Sequence, residues 1–217
     1  MIQQNINRIK EELGETMLVA VSKYRSLEEL NALYQTGQRI FAENRVQELL
    51  DKQKDLPKDI KWHLIGHLQT NKVKSVIDKV SLINSVDSLK LLKEIQKQAV
   101  KKDIQVNVLL QIHVADEDTK FGFDKDEIIE LAKSGILDTF THIHFFGVMS
   151  MATLTSNKEQ IEAEFKKTHD IFLKLQPLTP IPDAFTEVSM GMSSDYKIAI
   201  KMGATMVRIG SKIFESA

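Results

Sequence analysis

The chain contains no cysteine, four prolines and nine glycines among its 217 residues. The absence of cysteine excludes disulfides, thiolate zinc sites and cysteine nucleophiles together. No apolar run approaches the length needed to span a membrane. The N-terminus also lacks the basic start and the apolar core of a signal peptide. We therefore expect a cytoplasmic protein.

An excess of charge of either sign is also missing. Lys and Arg together number 29 and Asp and Glu 30, which gives a formal net charge of -1. We therefore expect neither nucleic acid nor a membrane surface as a partner. Hydrophobic residues make up 42% and charged residues 27% of the chain, as in ordinary soluble globular proteins. Because no linker-like stretch divides the sequence, we treat residues 1–217 as a single domain.

Short apolar runs alternate with amphipathic stretches along the chain. The predicted strands cover residues 17–22, 39–42, 61–65, 82–86, 106–114, 141–148, 185–189 and 206–209. The predicted helices cover about residues 2–13, 27–36, 46–54, 70–79, 88–102, 125–133, 158–175 and 194–202. Ser26 with Glu29 forms a capping-box pattern, and Gly37 and Gly203 follow helices where a left-handed C-cap is wanted.

This alternation of strand and helix implies parallel strands joined by right-handed crossovers. Eight strands in a chain of this length fit a compact (β/α)8 barrel. A doubly wound open sheet is the alternative, but it would normally carry a glycine-rich nucleotide fingerprint after its first strand. The sequence Ser22-Lys23-Tyr24-Arg25 has none. We therefore predict an α/β fold, a single (β/α)8 TIM barrel with an extra N-terminal helix.

The end of the first predicted strand carries a lysine, Lys23. In a barrel the carboxyl ends of all strands meet on one face, and chemistry is placed there. An amine that is buried at such a position loses its proton more easily, because burial disfavours the charged form. A neutral amine can condense with an aldehyde. Many strands simply end in a solvated lysine, so the other strand ends must decide between these two interpretations.

Two further strand ends predict a phosphate site. The segment Ser189 to Ser194 is a small polar turn that leads into a helix, and Gly210-Ser211 follows the last strand. Free backbone N–H groups at such turns attract phosphate, and barrels commonly bind phosphate after strands seven and eight. The alternative is that Ser193 or Ser194 only caps a helix and that Gly210 only makes a turn.

Arg208 precedes Gly210 on the last predicted strand. An inward-facing guanidinium needs a partner because it keeps its charge, and the alternative partner is a carboxylate at the bottom of the barrel. A lysine, a phosphate site and an arginine on one rim favour pyridoxal 5′-phosphate (PLP), whose aldehyde, phosphate and ring nitrogen each need a partner. Arg208 as a donor to that nitrogen would keep it unprotonated.

Two other groups of residues carry weaker signals. His142 and His144 alternate along the sixth predicted strand and could ligate a metal together with His113, but carboxylates at ligand spacing are not evident. The run Asp116-Glu117-Asp118 is most simply a solvated acidic loop. We expect no metal site.

With these polar strand ends, the chain resembles the pyridoxal phosphate homeostasis proteins. They are a family of single-domain PLP-binding barrels similar to the N-terminal domain of alanine racemase. The resemblance runs from Met17 to Phe214, nearly the whole chain. Several ordered motifs at the right spacing make it specific. These are AVSK at 20–23, ENRVQE at 43–48, WHLIGHLQTNK at 62–72, KFGF at 120–123, SMGMSSD at 189–195 and VRIG at 207–210.

The resemblance implies a set of cofactor contacts. Lys23 would form the internal aldimine, and Arg208 would lie near the ring nitrogen. Residues around the rest of the cofactor would be Ser189, Gly210 and Ser211 at the phosphate, Asn44 on the ring hydroxyl side, and His63 and Met192 lining the pocket. The chain departs from the common family pattern after the lysine, where Tyr24-Arg25 replaces Thr-Lys-Pro.

The resemblance also implies a role in PLP homeostasis, as a carrier or regulator of PLP supply and of amino-acid and keto-acid balance, without efficient turnover. Apo forms of PLP-dependent enzymes are the expected recipients, and we expect a monomer. The alternative is an amino-acid racemase, which needs an acid/base group on each face of the substrate. In the racemases that this chain resembles, a separate β domain supplies the opposing tyrosine, and we expect none beyond Ala217. A metal-dependent hydrolase is a distant third hypothesis.

Overall fold

The fold was obtained as a computed structural model and is described here for residues 1–115 and 121–215. In these residues eight parallel strands close into a barrel in chain order, with the last strand pairing with the first. The predicted (β/α)8 barrel is therefore confirmed. The strands are β1 (Met17–Val21), β2 (Ile40–Glu43), β3 (Lys61–Leu64), β4 (Leu82–Val86), β5 (Val106–Gln111), β6 (Ile143–Met149), β7 (Glu187–Met192) and β8 (Met206–Ile209).

Helices on the outside of the barrel connect these strands, and an extra helix precedes the first strand as predicted. The capping box at Ser26 and Glu29 is present, and Gly37 and Gly203 follow their helices with φ of 85° and 90°. None of the helices in the described ranges is long and apolar enough to cross a membrane. The helices are α1 (Ile2–Leu13), α2 (Leu27–Gln35), α3 (Val46–Asp55), α4 (Thr70–Val76), α5 (Leu89–Lys102), α6 (Lys125–Lys133), α7 (Lys158–Leu175), α8 (Tyr196–Lys201) and α9 (Ser211–Phe214).

The largest error in the predicted strands concerns β7, which covers Glu187–Met192 instead of residues 185–189. Phe185 suggested a strand because it is apolar, but its ring is buried outside the strand and stacks on Phe172 with centroids 5.4 Å apart. A 3-10 turn, Pro182–Ala184, precedes it. Consequently Ser189 lies in the middle of β7 and not at its end.

The barrel interior is built in two layers. The lower layer is a small apolar cluster of Val19, Ala42, Leu82, Leu109, Met149 and Met206. Side chains two positions further along a strand face the same side, one layer nearer the carboxyl end. That upper layer contains Val21, Asn44, Asn84, Gln111, Met151 and Arg208. The apolar layer therefore closes the barrel from below, and the polar upper layer faces the carboxyl-terminal rim.

Candidate functional site

A cavity of about 800 Å³ opens at the carboxyl-terminal rim, directly above the upper layer. Its floor includes Val21, Asn44, Gln111, Met151 and Arg208. We call it the Lys23 cavity. Most of the predicted site residues line it, namely Lys23, Asn44, Met192, Arg208, Gly210 and Ser211.

Two predicted site residues, His63 and Ser189, do not line the Lys23 cavity in the described structure. His63 pairs in register with Ala42 and Leu82, so it belongs to the lower layer. Ile65, two residues later, is the residue of this segment that reaches the cavity. The resemblance implied that His63 lines the pocket, whereas the structure places it one layer below the Lys23 cavity.

Ser189 is a correction of the same kind. Because β7 continues to Met192, Ser189 lies opposite Met206 of the lower layer and is completely buried. Its hydroxyl accepts a hydrogen bond from Arg208 Nη1 at 2.7 Å and lies 3.3 Å from Asn84 Oδ1. Ser189 therefore supports Arg208 from below, and the phosphate contact predicted for it is not available in this arrangement.

Arg208 is 3% exposed and is held by neutral acceptors. Its Nη1 donates to Ser189 O at 2.8 Å as well as to the hydroxyl, and its Nη2 donates to Ser150 O at 2.7 Å. Within the described ranges no carboxylate forms an ion pair with it, so the alternative of a salt bridge at the barrel bottom is wrong there. Burial lowers the pKa of Arg208 to about 10, and the charge of Asp195 opposes this shift. The site therefore keeps a fixed, oriented cation at neutral pH.

Lys23 lies two residues beyond the end of β1, at the mouth of the cavity. Its side chain is exposed, so this structure does not show the buried amine that one of the two interpretations required. Hydrogen bonds from other elements hold the residues on either side of it. The amine is therefore accessible to a ligand that enters the cavity from solvent.

The loops after β7 and β8 form one polar wall of the cavity. Ser193, Ser194, Gly210 and Ser211 line it, and Gly210 N–H donates to Ser193 Oγ at 3.3 Å. The alternative that Ser193 or Ser194 caps the next helix is wrong, since α8 begins after Asp195. Three hydroxyls thus border the wall where the sequence predicts an anion site.

The opposite wall depends on a close backbone approach at Gly66. A Cβ added to Gly66 would lie 2.1 Å from the carbonyl oxygen of Asn44. Only glycine allows the loop after β3 to pass so near the end of β2, and this approach holds Asn44 at the cavity. The sequence contains this glycine in the segment 62–72, but its contact with Asn44 is set by the pairing of β2 and β3.

His67 and Phe121 form a part of the rim that no sequence pattern predicts. His67 Nδ1 lies 2.7 Å from Asp87 Oδ2, and the imidazole stacks on the Phe121 ring with centroids 3.9 Å apart. Gln111 Nε2 donates to Phe121 O at 2.9 Å and ties this residue to the upper layer. These contacts bridge three βα loops, which no local sequence pattern specifies.

The three histidines considered as metal ligands do not come together. His113 follows β5, whereas His142 precedes β6 and His144 is its second residue. Because these strands are parallel, His113 lies at the opposite end of the barrel from the other two. Across residues 1–115 and 121–215 no group of three His, Cys, Asp or Glu side chains could hold a metal. The acidic run Asp116-Glu117-Asp118 and the motif residue Lys120 lie outside the described residues.

None of the three tyrosines of the chain lines the Lys23 cavity. Tyr34 OH donates to Asp59 at 2.8 Å, and Tyr196 OH donates to Glu12. Burial, together with that hydrogen bond, raises the pKa of Tyr196 to about 12. Tyr24 is 74% exposed. No tyrosine is therefore available at the cavity as a second acid/base group.

Comparison with known proteins agrees with this geometry. The family model described as "Alanine racemase, N-terminal domain" matches residues 1–216. The pyridoxal phosphate homeostasis protein of Aquifex aeolicus is 38% identical over 200 residues, which are 91% of this chain and 85% of that protein. PipY of Synechococcus elongatus, solved without PLP, superposes with a TM-score of 0.93 at 31% identity, covering 99% of this chain and 100% of that one.

PipY has also been solved with PLP bound, and that structure gives a TM-score of 0.89. Alanine racemase from Bartonella henselae, with covalently bound pyridoxal phosphate, is 18% identical with a TM-score of 0.75, so it shares the fold. This chain covers 99% of its own length but 58% of that racemase chain in the superposition.

The fold and the rim cavity define a barrel of the alanine racemase N-terminal type. Identity above 30% over nearly the whole chain narrows the class further. The chain belongs to the pyridoxal phosphate homeostasis protein family, and the resemblance stated from its motifs is confirmed.

Proposed function

We propose that this protein binds PLP in the Lys23 cavity, attaches it covalently to Lys23, and holds it for PLP homeostasis without efficient turnover. The observation that carries the proposal is the convergence of Lys23, the buried Arg208 cation and a wall of hydroxyls in one cavity. The homeostasis names of the relatives and the PLP-bound PipY structure support it.

The residues of the cavity suit the three polar parts of PLP. When bound, PLP supplies an aldehyde. The Lys23 amine would add to its carbonyl carbon, a C=N bond would replace C=O, and one water would leave, with no change of oxidation state. Arg208 would face the ring nitrogen and, as a cation at neutral pH, would disfavour its protonation.

The phosphate would lie against the wall formed by Ser193, Ser194, Gly210 and Ser211. Hydroxyl and backbone donors suit a phosphate because its oxygens are strong acceptors. Asn44, held by the approach of Gly66, would contact the ring hydroxyl side, and Met192 would pack against the ring. The amine of Lys23, exposed at the cavity mouth, would become covered on binding.

The absence of turnover is part of the proposal. Two-base racemisation needs a second acid/base group across the substrate from Lys23. The tyrosines do not line the cavity, and Tyr34 and Tyr196 donate their hydroxyl protons to carboxylates elsewhere. Arg208 at the ring nitrogen would also weaken the ring as an electron sink. A racemase remains the competing function.

Reconstitution of the purified protein with PLP tests the binding proposal. We expect a visible absorption band that survives gel filtration, and we expect Lys23→Ala to lose it. Lys212→Ala is the matched control, since Lys212 lines the same cavity and should not be the site of attachment. A wild-type protein that stays colourless, or a band that survives in Lys23→Ala, would refute the proposal.

Incubation of the PLP-loaded protein with single enantiomers of alanine and other amino acids separates the two functions. We expect no sustained loss of optical activity. Racemisation at an enzyme-like rate, on the order of 1 per second or faster, would establish the racemase instead.

A further inference from the structure

A buried charged cluster lies beneath Lys23, outside the Lys23 cavity. It consists of Glu43 at the end of β2 with Glu48 and Lys52 on α3. Lys52 Nζ lies 2.6 Å from Glu43 Oε1 and 2.8 Å from Glu48 Oε1. Glu43 is 0% exposed and Lys52 is 8% exposed. We call these three residues the Lys52 cluster.

The Lys52 cluster holds the backbone on both sides of Lys23. Before the lysine, Lys52 Nζ donates to Ser22 O at 2.7 Å, and Ser22 Oγ donates to Glu43 Oε1 at 2.6 Å. After the lysine, Tyr24 N–H donates to Glu48 Oε1 at 2.9 Å. The two neighbours of Lys23 are thus fixed by side chains from two other elements, β2 and α3.

The backbone at Tyr24 needs such support. Its φ is 62°, in the left-handed region that a residue with a Cβ rarely adopts. A conformation of this kind persists where surrounding contacts determine it, and such strain is common at functional sites. The contact from Glu48 to the Tyr24 amide is one of the contacts that hold this turn.

Stability alone gives a weak reason for the cluster. Burial raises the pKa of Glu43, although hydrogen bonds from Lys52 and Ser22 act against this shift. Glu43 Oε2 is buried without a hydrogen-bond partner among the described residues. Buried ion pairs often stabilise a fold less than well-packed apolar residues would, because both charges lose their hydration.

We propose that the Lys52 cluster positions Lys23: it fixes the turn 22–24 so that the lysine amine is presented to the Lys23 cavity. None of the three members lines that cavity, so they act through the backbone of Lys23 and not on the ligand. This inference rests on the proposed attachment of PLP to Lys23. It assigns Glu43, Glu48 and Lys52 a positioning role, which is separate from the roles of the residues that line the cavity.

The decisive variant is Glu48→Ala, because the Glu48 side chain is 24% exposed and its removal leaves the buried pair intact. We expect PLP attachment to slow, and the PLP dissociation constant to rise, by about tenfold, as for loss of one hydrogen bond to a charged group. Glu48→Gln should recover most of this, since its amide oxygen can still accept from Tyr24 N–H. Lys52→Arg should likewise retain more attachment than Lys52→Met.

Lys54→Met is the matched control. Lys54 lies on the same helix and pairs with Asp51 at 2.7 Å, but that pair is exposed and does not contact residues 22–24. Lys54→Met removes one positive charge, as Lys52→Met does, and should attach PLP at the wild-type rate. Thermal unfolding of every unliganded variant separates positioning from general destabilisation, and if Lys52→Met does not fold, the two Glu48 variants decide.

Amide hydrogen exchange of the unliganded protein tests the positioning role without the cofactor. We expect the peptide that contains Tyr24 to exchange faster in Glu48→Ala than in wild type or Lys54→Met. If wild type attaches no PLP to Lys23, the proposed function fails. The exchange measurement still tests whether the Lys52 cluster holds the turn 22–24. A folded Glu48→Ala protein with wild-type attachment rate and wild-type exchange at Tyr24 would overturn the inference.

Discussion

The guanidinium of Arg208 on β8 and the hydroxyl of Ser189 on β7 lie 2.7 Å apart, where the upper and lower layers of the barrel interior meet. Ser189 is therefore inaccessible to a ligand, and the contact fixes the orientation of Arg208. Since Ser150 O accepts from the other end of the guanidinium, the cation is anchored to β7 and to the residue that follows β6. The site is therefore organised from below before any ligand enters.

A pair of serine variants tests this division of roles. Ser189→Ala should lower the free energy of unfolding by about 1–3 kcal/mol, because Arg208 loses an acceptor, and should raise the PLP dissociation constant less than Ser211→Ala does. Ser211→Ala should raise the dissociation constant about tenfold or more through loss of a phosphate contact. Equilibrium PLP titration and urea unfolding of both variants provide the comparison. An effect of Ser189→Ala on PLP affinity as large as that of Ser211→Ala would contradict the placement of Ser189.

Gly66 is expected to be intolerant of substitution because of Asn44. Gly66→Ala forces the loop after β3 away from Asn44 O, and overpacking of this kind costs about 1–3 kcal/mol. Displacement of Asn44 should also weaken PLP binding. Gly37→Ala is the control, because its φ of 85° is unfavourable for alanine but no atom lies within 4 Å of the added Cβ. We expect that control to lose about 1–2 kcal/mol of stability and to keep its PLP affinity. Equal PLP affinities for the two variants would argue against a role for the Asn44 contact.

His63 makes the stability of the protein depend on pH. Burial lowers the pKa of His63 from 6.5 to about 4, and the Lys61 charge acts in the same direction. The unfolded chain therefore takes up a proton at His63 below about pH 6.5, whereas the folded protein does so only near pH 4. Stability is complete above pH 6.5 and is lost as the pH falls towards 4, by about 3 kcal/mol in total.

Urea unfolding across this pH range, in wild type and in His63→Leu, measures that contribution. The leucine variant should have a flatter profile between pH 6.5 and pH 4 than wild type. Identical slopes in wild type and His63→Leu would mean that His63 does not titrate in this way.

The sequence pattern was sufficient for the barrel and for most of the cavity, for a physical reason. Strand–helix alternation fixes parallel pairing, and parallel pairing brings all carboxyl strand ends to one rim. This rule brings Lys23 and Arg208 to the rim, and the motif resemblance adds Asn44; all three line the Lys23 cavity. The motif resemblance added the family, which the comparisons confirm.

The wrong predictions concern strand register, strand length and contacts between elements, which the sequence of a single segment does not determine. His63 and Ile65 face the same side of β3, and only the register with β2 and β4 decides which one reaches the cavity. In the same way, the length of β7 decides whether Ser189 reaches the cavity. In the sequence Lys52 looks like an ordinary polar residue of α3, because Glu43, the carboxylate with which it pairs, belongs to another element.

The proposed function depends on Lys23 as the residue that holds the cofactor. The most direct measurement is borohydride reduction of the PLP-loaded protein, followed by proteolysis and mass spectrometry of all lysine-containing peptides. We predict one stoichiometric phosphopyridoxyl modification, located on Lys23, and none on Lys212 or Lys52. Stoichiometric modification of another lysine with Lys23 unmodified would contradict it.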